Sequence, residues 1–438
     1  MEINFDKQQK NLGVIKISVN KTDFQPRVDQ KIKEYSKTAN FKGFRPGKVP
    51  PGLIRKMYGN ALIVEEINRL VSEKLDTYLK NSDLQFLGEP IPIQKDKSFD
   101  WENEEPFEFE YEVGFAEPFK IVLDKKFKIY KYSVKINDEV INDTVENLQR
   151  QFGEVEQTDI ANEKDTLTGQ VTSKDRVIKE SLNIDLRNAK KATLEKLIGI
   201  RIGEEVQINL KKGFKNEIVI KNQLKFDEEE FKKLEKIKFK VEVINHYKLA
   251  PIDQNLFDKT FGKDRVKDES SFREKLKATV TENYSNEEEQ FFNHQIREKL
   301  IKNSKISIPD DFLKKWLEKS SNVTTPEFLD SRYNLYAKDL KWSLIQDLII
   351  KNKEIKIEHN DIVSEARILI KKQLVNLNIE NQENDQIDAY ANSYLQDENS
   401  ENYIKVFNQV RSNKVFNFIK GEISIKEREV SLDEFRKL

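Results

Sequence analysis

The chain has 438 residues, of which 37% are hydrophobic and 35% are charged, with a formal net charge of −1 and no cysteine. At roughly 150 residues per domain this length predicts about three domains, and the small apolar share predicts an elongated molecule with much solvated surface. The absence of cysteine excludes disulfides, thiolate metal sites and cysteine nucleophiles.

The first segment, MEINFDKQQKNLGVIKISV, has no basic stretch that leads into an apolar run, as a secretory signal would. No later window approaches the ~18 apolar residues of a membrane span. These features predict a cytoplasmic protein without a membrane partner.

Four elements are predicted in the first part of the chain. Ile15, Ile17 and Val19 alternate with polar residues as in a half-buried strand. A helix follows, on a face formed by Phe24, Val28, Ile32, Tyr35 and Ala39. A longer helix has its apolar face between Ile63 and Tyr78, and FEFEYEVGF alternates as a strand that ends at Phe115. These elements predict an α+β N-terminal domain over residues 1–113 with a helical hairpin.

The loop of this hairpin is the segment FKGFRPGKVPPGLIRKMYG, residues 41–59, which contains four Gly and three Pro. Glycine lets the backbone turn tightly and proline limits its freedom, so the segment predicts a rigid contact loop. Arg45 and Lys48 can bind phosphate or carboxylate, and Phe44 can insert or stack. The predicted contact residues are Gly43, Phe44, Arg45, Pro46, Gly47, Lys48, Val49 and Pro50.

Charge is distributed unevenly around this loop. Residues 1–60 contain 13 Lys and Arg against 5 Asp and Glu, whereas residues 61–118 contain 5 against 15. A basic leading segment favours a polyanionic partner. A solvated helix face is the alternative explanation for the same charges.

The next two segments are predicted as a connector and a small β-rich domain. Residues 114–157 contain the strand-like FKIYKYSVKI and the helix-like DEVINDTVENLQRQF. Residues 158–247 contain the short alternating segments EVQINL, NEIVI and KFKVEVI, which predict strands.

Residues 248–438 are predicted to form an all-α domain with several arms. Phe272, Leu276, Val280, Tyr284, Phe292, Ile296 and Leu300 mark one long amphipathic helix. Ser271 and Glu274 have the spacing of a capping box. Further helices are predicted around residues 312–317, 335–350, 362–374 and 403–419.

No motif for a cofactor or metal is present. His246, His294 and His359 are far apart and none has the spacing of a metal ligand. GFRPGKV differs from a phosphate-binding loop, because too few residues separate Gly43 from Gly47 and Val49 stands where Ser or Thr must bind Mg²⁺. We therefore expect no nucleotide and no other cofactor.

Several motifs resemble trigger factor, a family of ribosome-associated bacterial chaperones. They are GFRPGKVP at residues 43–50, Tyr58-Gly59, LFDKTFG at 256–262 and ISIP at 306–309, and the three-part order of elements agrees. The resemblance implies an N-terminal domain that docks beside the ribosomal exit tunnel through the loop. It also implies a middle prolyl-isomerase domain of FKBP-like fold and a helical C-terminal domain whose two arms form a chaperone cradle.

The resemblance further implies an ATP-independent chaperone that holds nascent, unfolded polypeptides. Its partners would be the ribosome, through exit-tunnel proteins and rRNA, and a second copy of the chain when free. Phe44 and Arg45 match the family's Phe-Arg contact. Pro46 stands where the family often has Lys, so one cationic contact is missing, for which Lys48 or Lys42 can partly substitute.

The middle domain departs from the family's pattern. An FKBP-type site holds a proline ring in an apolar pocket with aromatic walls, yet the residues from Gly153 to Gly213 include no Phe, Tyr or Trp. The family's Pro-Gly-Phe segment is also missing, so we expect the isomerase activity to be lost. Two alternatives stay open: an active isomerase with an aromatic wall donated from elsewhere, and a nucleic-acid-binding module. The acidic segment after Ala61 argues against the second.

Overall fold

The computed structural model describes residues 1–42, 44–45, 47–94, 106–173, 176–210, 212–225, 231, 236–320, 326–376, 379 and 384–438. The chain forms two compact units. The first comprises Met1–Lys131 and Phe291–Lys426, and the second comprises Tyr132–Gln290 and Glu427–Leu438.

The N-terminal part is a four-stranded antiparallel sheet covered on one face by a helical hairpin. The strands are β1 (Glu2–Gln9), β2 (Leu12–Val19), β3 (Gln85–Pro92) and β4 (Phe107–Ala116), in the order β1-β2-β4-β3. Helices α1 (Lys21–Thr38) and α2 (Pro51–Asn81) form the hairpin. The alternating residues of β2 and β4 pack against both helices in one core, which confirms the predicted strands and helices.

Helix α2 begins earlier than the sequence predicted. It starts at Pro51, so Gly52 to Gly59 are helical and the loop is shorter than the Gly- and Pro-rich segment. Proline is well suited to the first helical position, because its missing N–H has no helical partner there. The prediction of a loop up to Gly59 is therefore wrong.

The connector forms strand β5 (Lys128–Val134) and helix α3 (Asp138–Gln151), as predicted. The middle sheet follows, with strands β6 (Glu154–Gln157), β7 (Thr166–Ser173), β8 (Arg176–Asp185), β9 (Glu205–Asn209) and β10 (Lys236–Lys248). Its order is β6-β10-β7-β8, and β9 also pairs with β10. Two short helices, α4 (Lys191–Leu197) and α5 (Glu217–Gln223), pack on this sheet around one core.

Helix α5 replaces a predicted strand. The segment NEIVI was predicted to alternate, but Ile220 and Leu224 are both buried and lie four residues apart, as on one helical face. A short apolar run fits the periodicity of a helix as well as that of a strand. Here the segment is helical because this form packs Ile220 and Leu224 into the core of the middle domain.

The last third of the chain is mainly helical. Its helices are α6 (Gln254–Phe261), α7 (Glu269–Ser304), α8 (Asp310–Ser320), α9 (Pro326–Lys353), α10 (His359–Asn376), α11 (Asn384–Leu395) and α12 (Glu401–Glu422), followed by β11 (Ser424–Val430) and α13 (Leu432–Phe435). All predicted helices are present, whereas α6, α11 and α13 were not predicted. Strand β11 pairs with β5, so the prediction of an all-α segment is wrong at this point.

The cap of α7 also differs from the prediction. The helix begins at Glu269, so Ser271 and Glu274 lie inside it. The Ser271 N–H donates to the carboxylate of Asp268 at 2.9 Å. Asp268 therefore caps the helix, and the capping box at Ser271 is wrong. No helix in the described part of the chain is long and apolar enough to cross a lipid bilayer.

Candidate functional site: the tip of the helical hairpin

The loop between α1 and α2 is held at both ends. Helix α1 ends at Thr38, and the next residue, Ala39, has an extended backbone and donates its N–H to the Tyr35 carbonyl at 2.8 Å. The Ser36 hydroxyl donates to the Val49 carbonyl across the loop. The Val49 side chain is only 1% exposed and lies in the core below. The loop is therefore anchored to both helices.

Two short turns shape the loop between these anchors. The Phe44 N–H donates to the Phe41 carbonyl at 3.1 Å, and the Lys48 N–H donates to the Arg45 carbonyl at 3.0 Å. Gly47 has φ +79°, and a Cβ there would lie 3.1 Å from the Lys37 carbonyl oxygen. This left-handed conformation strains any residue with a Cβ, so glycine is needed at position 47.

Replacing Gly47 by alanine is expected to destabilise the hairpin by about 1 kcal/mol or more, because alanine resists the left-handed region. Urea denaturation followed by circular dichroism measures the loss. Gly52→Ala is the matched control: no atom lies within 4 Å of its Cβ position, so this variant should be neutral or gain up to about 1 kcal/mol. Equal stability of both variants would contradict the assigned role of Gly47.

The tip exposes one aromatic ring and several cations. Phe44 is 40% exposed, and Lys42, Arg45 and Lys48 are exposed as well. Among the described residues none of these three cations is paired with a carboxylate, whereas Arg55 pairs with Asp29 at 2.5 Å. The charge of the tip is therefore available to a partner.

At the root of the hairpin the charges are neutralised internally. Lys31 pairs with Glu65 at 2.5 Å and Glu66 at 2.9 Å, and the hydrogen bonds that it donates to these two carboxylates raise the pKa of Lys31. Hydrogen bonds from Arg27 and Arg69 lower the pKa of Glu73. Basic side chains of α1 are thus paired with carboxylates of α2 away from the tip, so part of the uneven charge is neutralised within the hairpin.

The predicted contact residues do not all have the same surroundings. Phe44, Arg45, Lys48 and Pro50 lie on the surface, Gly47 forms the turn, and Val49 is buried. Val49 therefore anchors the loop through its side chain. Gly43 and Pro46 lie outside the part of the chain that the structure describes.

Sequence reasoning missed three exposed residues near the tip. Tyr35 was assigned to the buried face of α1, but its ring is largely exposed, and so are Met57 and Tyr58. The Tyr58 ring lies 6.2 Å from that of Phe41 between centroids. The pair Met57-Tyr58 directly before Gly59 was the available signal, because it is an apolar pair in a strongly basic segment.

Two of the three histidines have structural partners. His246 Nδ1 lies 2.7 Å from the buried Asp165 carboxylate, and the His359 ring stacks on Tyr403. Within the described ranges, no group of three or more His, Asp or Glu side chains is arranged to hold a metal ion.

Three family models match successive parts of the chain. The model described as bacterial trigger factor protein matches residues 1–148. The probable trigger factor FKBP-like domain matches residues 155–249, and the probable trigger factor C-terminal domain matches residues 288–438.

Individual relatives agree with these models. The chain is 27% identical over 165 residues to trigger factor of Francisella tularensis subsp. novicida; the match spans 38% of this chain but only 36% of that relative. It is 22% identical over 452 residues to trigger factor of Chloroherpeton thalassium, covering 97% of this chain and 98% of the relative. A solved structure described under "Promiscuous Substrate Recognition in Folding and Assembly Activities of the Trigger Factor Chaperone" is 16% identical, with a TM-score of 0.44 over 96% of this chain and all of that one. Because the three models belong to one family and follow each other along nearly the whole sequence, the chain belongs to the trigger factor family.

Proposed function

We propose that this chain is an ATP-independent chaperone of the cytoplasm that docks at the ribosomal exit tunnel through the hairpin tip and holds nascent polypeptides. The observation that carries the proposal is the anchored loop with an exposed Phe44 beside Arg45 and Lys48, which are exposed and have no carboxylate partner among the described residues. In this proposal residues 1–113 dock, 114–157 connect, 158–247 form the FKBP-like domain and 248–438 form the chaperone domain. The ribosomal partners are exit-tunnel proteins and rRNA, and the free chain forms a homodimer.

The chemistry of the tip suits a ribonucleoprotein surface. A guanidinium binds phosphate or carboxylate with two parallel hydrogen bonds, and an exposed ring adds apolar contact or stacking. Because both ends of the loop are tied to the helices, little conformational freedom is lost on binding.

Helices α10, α11 and α12 support the holding function. They share a small core of their own, and around it Ile368, Val375, Tyr390 and Ile404 remain exposed. Exposed, discontinuous apolar side chains of this kind suit weak binding of many unfolded segments.

Co-sedimentation with vacant ribosomes across a salt series tests the docking. We expect the bound fraction to fall as salt rises, with the small slope of a few released ions, because the described part of the tip carries only a few cations without a carboxylate partner. Suppression of client aggregation, which depends on apolar contact, should be nearly independent of salt. A bound fraction that does not change with salt would contradict the ionic contact. A steep dependence on salt, corresponding to the release of many ions, would favour an extended nucleic-acid-binding surface instead.

The middle domain offers no described aromatic ring to a proline substrate. Phe214, Phe231 and Phe239 are buried in its core, and the Tyr247 ring faces the Arg150 guanidinium at 4.4 Å. In the short helix α4, Thr193 and Leu197 are the buried residues. These positions support the loss of the aromatic-walled pocket that an FKBP-type isomerase uses.

The full-length chain is therefore expected not to accelerate cis–trans isomerisation of a proline-containing peptide above the uncatalysed rate. A protease-coupled peptide assay measures this, with an active FKBP-type enzyme as the positive control. Clear acceleration that a proline-site inhibitor abolishes would establish the alternative function, an active peptidyl-prolyl isomerase.

A further inference from the structure

Two adjacent segments of the chain, which we call the crossings, connect the FKBP-like domain to the rest of the chain beside α3. The chain enters at Gly153 and leaves at Lys248–Ala250, where Gln149 Nε2 donates to the Ala250 carbonyl at 2.7 Å and the Ala250 N–H donates to the Gln149 carbonyl at 3.0 Å. A Cβ on Gly153 would overlap the Lys248 carbonyl oxygen. The two crossings therefore lie in direct contact at Gly153, where no side chain fits between them.

One side chain reaches from α3 into three segments of the domain. The Arg150 guanidinium lies 3.0 Å from the Asp185 carboxylate at the end of β8, donates to the Lys164 carbonyl and lies over the Tyr247 ring of β10. The Arg150 side chain is only 8% exposed. An arginine buried in this way is held by a hydrogen bond, an ion pair and a cation–π contact together.

The charged residues around Arg150 add contacts between α3 and the FKBP-like domain. Arg187 binds Asp185 at 2.7 Å, and Glu146 of α3 faces Lys164 at 3.3 Å and Arg187 at 3.7 Å. Burial alone would raise the pKa of Asp185, but the hydrogen bond from Arg187 and the positive charges of Arg187 and Arg150 lower it. The carboxylate that receives Arg150 is therefore ionised at neutral pH.

Helix α3 itself is fixed on its other side. Ile141 and Val145 pack with Leu256 and Phe257 of α6 and with Phe272 of α7 in one core. The base formed by α3, α6 and the first part of α7 thus has its own apolar packing. Leu148 and Phe152 also pack against this core, and Arg150 lies between them on α3, where the base meets the domain.

We propose that Arg150 is a latch that fixes the orientation of the FKBP-like domain on this base, and that without it the domain turns about the crossings at Gly153 and Ala250. The Gln149–Ala250 hydrogen bonds lie at the hinge itself and resist rotation weakly. Arg150 binds away from the hinge, on β8, β10 and the segment between β6 and β7, and therefore blocks the rotation. The remaining contacts of Glu146 are partly exposed ion pairs, which contribute little by themselves.

Distance measurements between two spin labels on the full-length chain test the latch. The chain has no native cysteine, so Lys196→Cys on the domain and Lys277→Cys on α7, both exposed positions, take the labels specifically. We expect one narrow distance peak in the labelled but otherwise unchanged chain. In Arg150→Leu we expect a broad distance distribution in place of that peak. Arg150→Lys should be intermediate, because lysine retains the charge but lacks the planar fork.

Arg273→Leu is the matched control. Arg273 binds Glu269 and Asn142 within the base, so its loss should leave the peak narrow. If circular dichroism shows that Arg150→Leu does not fold, Tyr247→Leu removes only the ring that covers the guanidinium and should broaden the peak. The proposal would be overturned if folded Arg150→Leu or Tyr247→Leu gave a distance distribution as narrow as that of the labelled chain without the substitution. It would also be overturned if the labelled chain without the substitution already gave a broad distribution.

Discussion

The variant Phe44→Ala with Arg45→Ala is expected to lose co-sedimentation with ribosomes, while its circular dichroism spectrum and its suppression of aggregation remain largely unchanged. Both side chains project from the loop and are exposed, so their removal creates no cavity and exposes no core. The loop itself is held by Ser36, Val49 and Gly47, which the variant retains. Hot-spot aromatic and arginine residues commonly carry most of the free energy of an interface.

A second double variant provides the control for this experiment. Tyr390→Ala with Lys372→Ala also removes one exposed ring and one exposed cation, but from helices α11 and α10. It should pellet with vacant ribosomes as the parent does. If the tip variant still pellets with ribosomes, or if neither variant pellets, the docking assignment is wrong.

Gly169→Ala is expected to destabilise the middle domain by about 3 kcal/mol or more, the upper range for inserting an atom into a packed interior. Gly169 lies in β7 between β8 and β10. A Cβ there would overlap the carbonyl oxygen of Lys240 and lie 3.0 Å from the Phe239 ring. Because the obstacle is backbone of the neighbouring strand, no side-chain rotation can relieve it.

Urea denaturation and amide hydrogen exchange of β7 and β10 measure this effect. Gly421→Ala serves as the comparison, because no atom lies within 4 Å of its Cβ position in α12. Alanine there should stabilise the helix by up to about 1 kcal/mol. If Gly169→Ala retains the exchange protection of the parent, the close contact between β7 and β10 is wrong.

The hairpin, strands β2 and β4 of its sheet and most of the long helices could be predicted from local patterns, whereas β1 and β3 were not predicted. Apolar residues alternate in β2 and β4 and recur about every four residues in α1 and α7. Each spacing places most of these residues on one buried face. The Gly- and Pro-rich segment likewise identified the hairpin tip, because such backbone restrictions are encoded locally.

Short and non-local features could not be predicted in this way. The segment NEIVI fits a strand as well as α5, and its helical form depends on the core that Ile220 enters. Strand β11 exists through its pairing with β5, nearly 300 residues earlier in the chain. Such pairing depends on contacts that no window of sequence contains.

The sequence by itself determined which residues could form the contact loop and that residues 153–213 contain no Phe, Tyr or Trp. Only the tertiary structure decided that Val49 turns into the core while Arg45 and Lys48 find no carboxylate partner in the described part of the chain. It also decided that Lys31 and Arg27 are paired with carboxylates of α2. It also brought Arg150 together with Asp185 and Tyr247. The physical reason is that composition and spacing limit local conformation, whereas the availability of a charge depends on which distant carboxylate the fold places beside it.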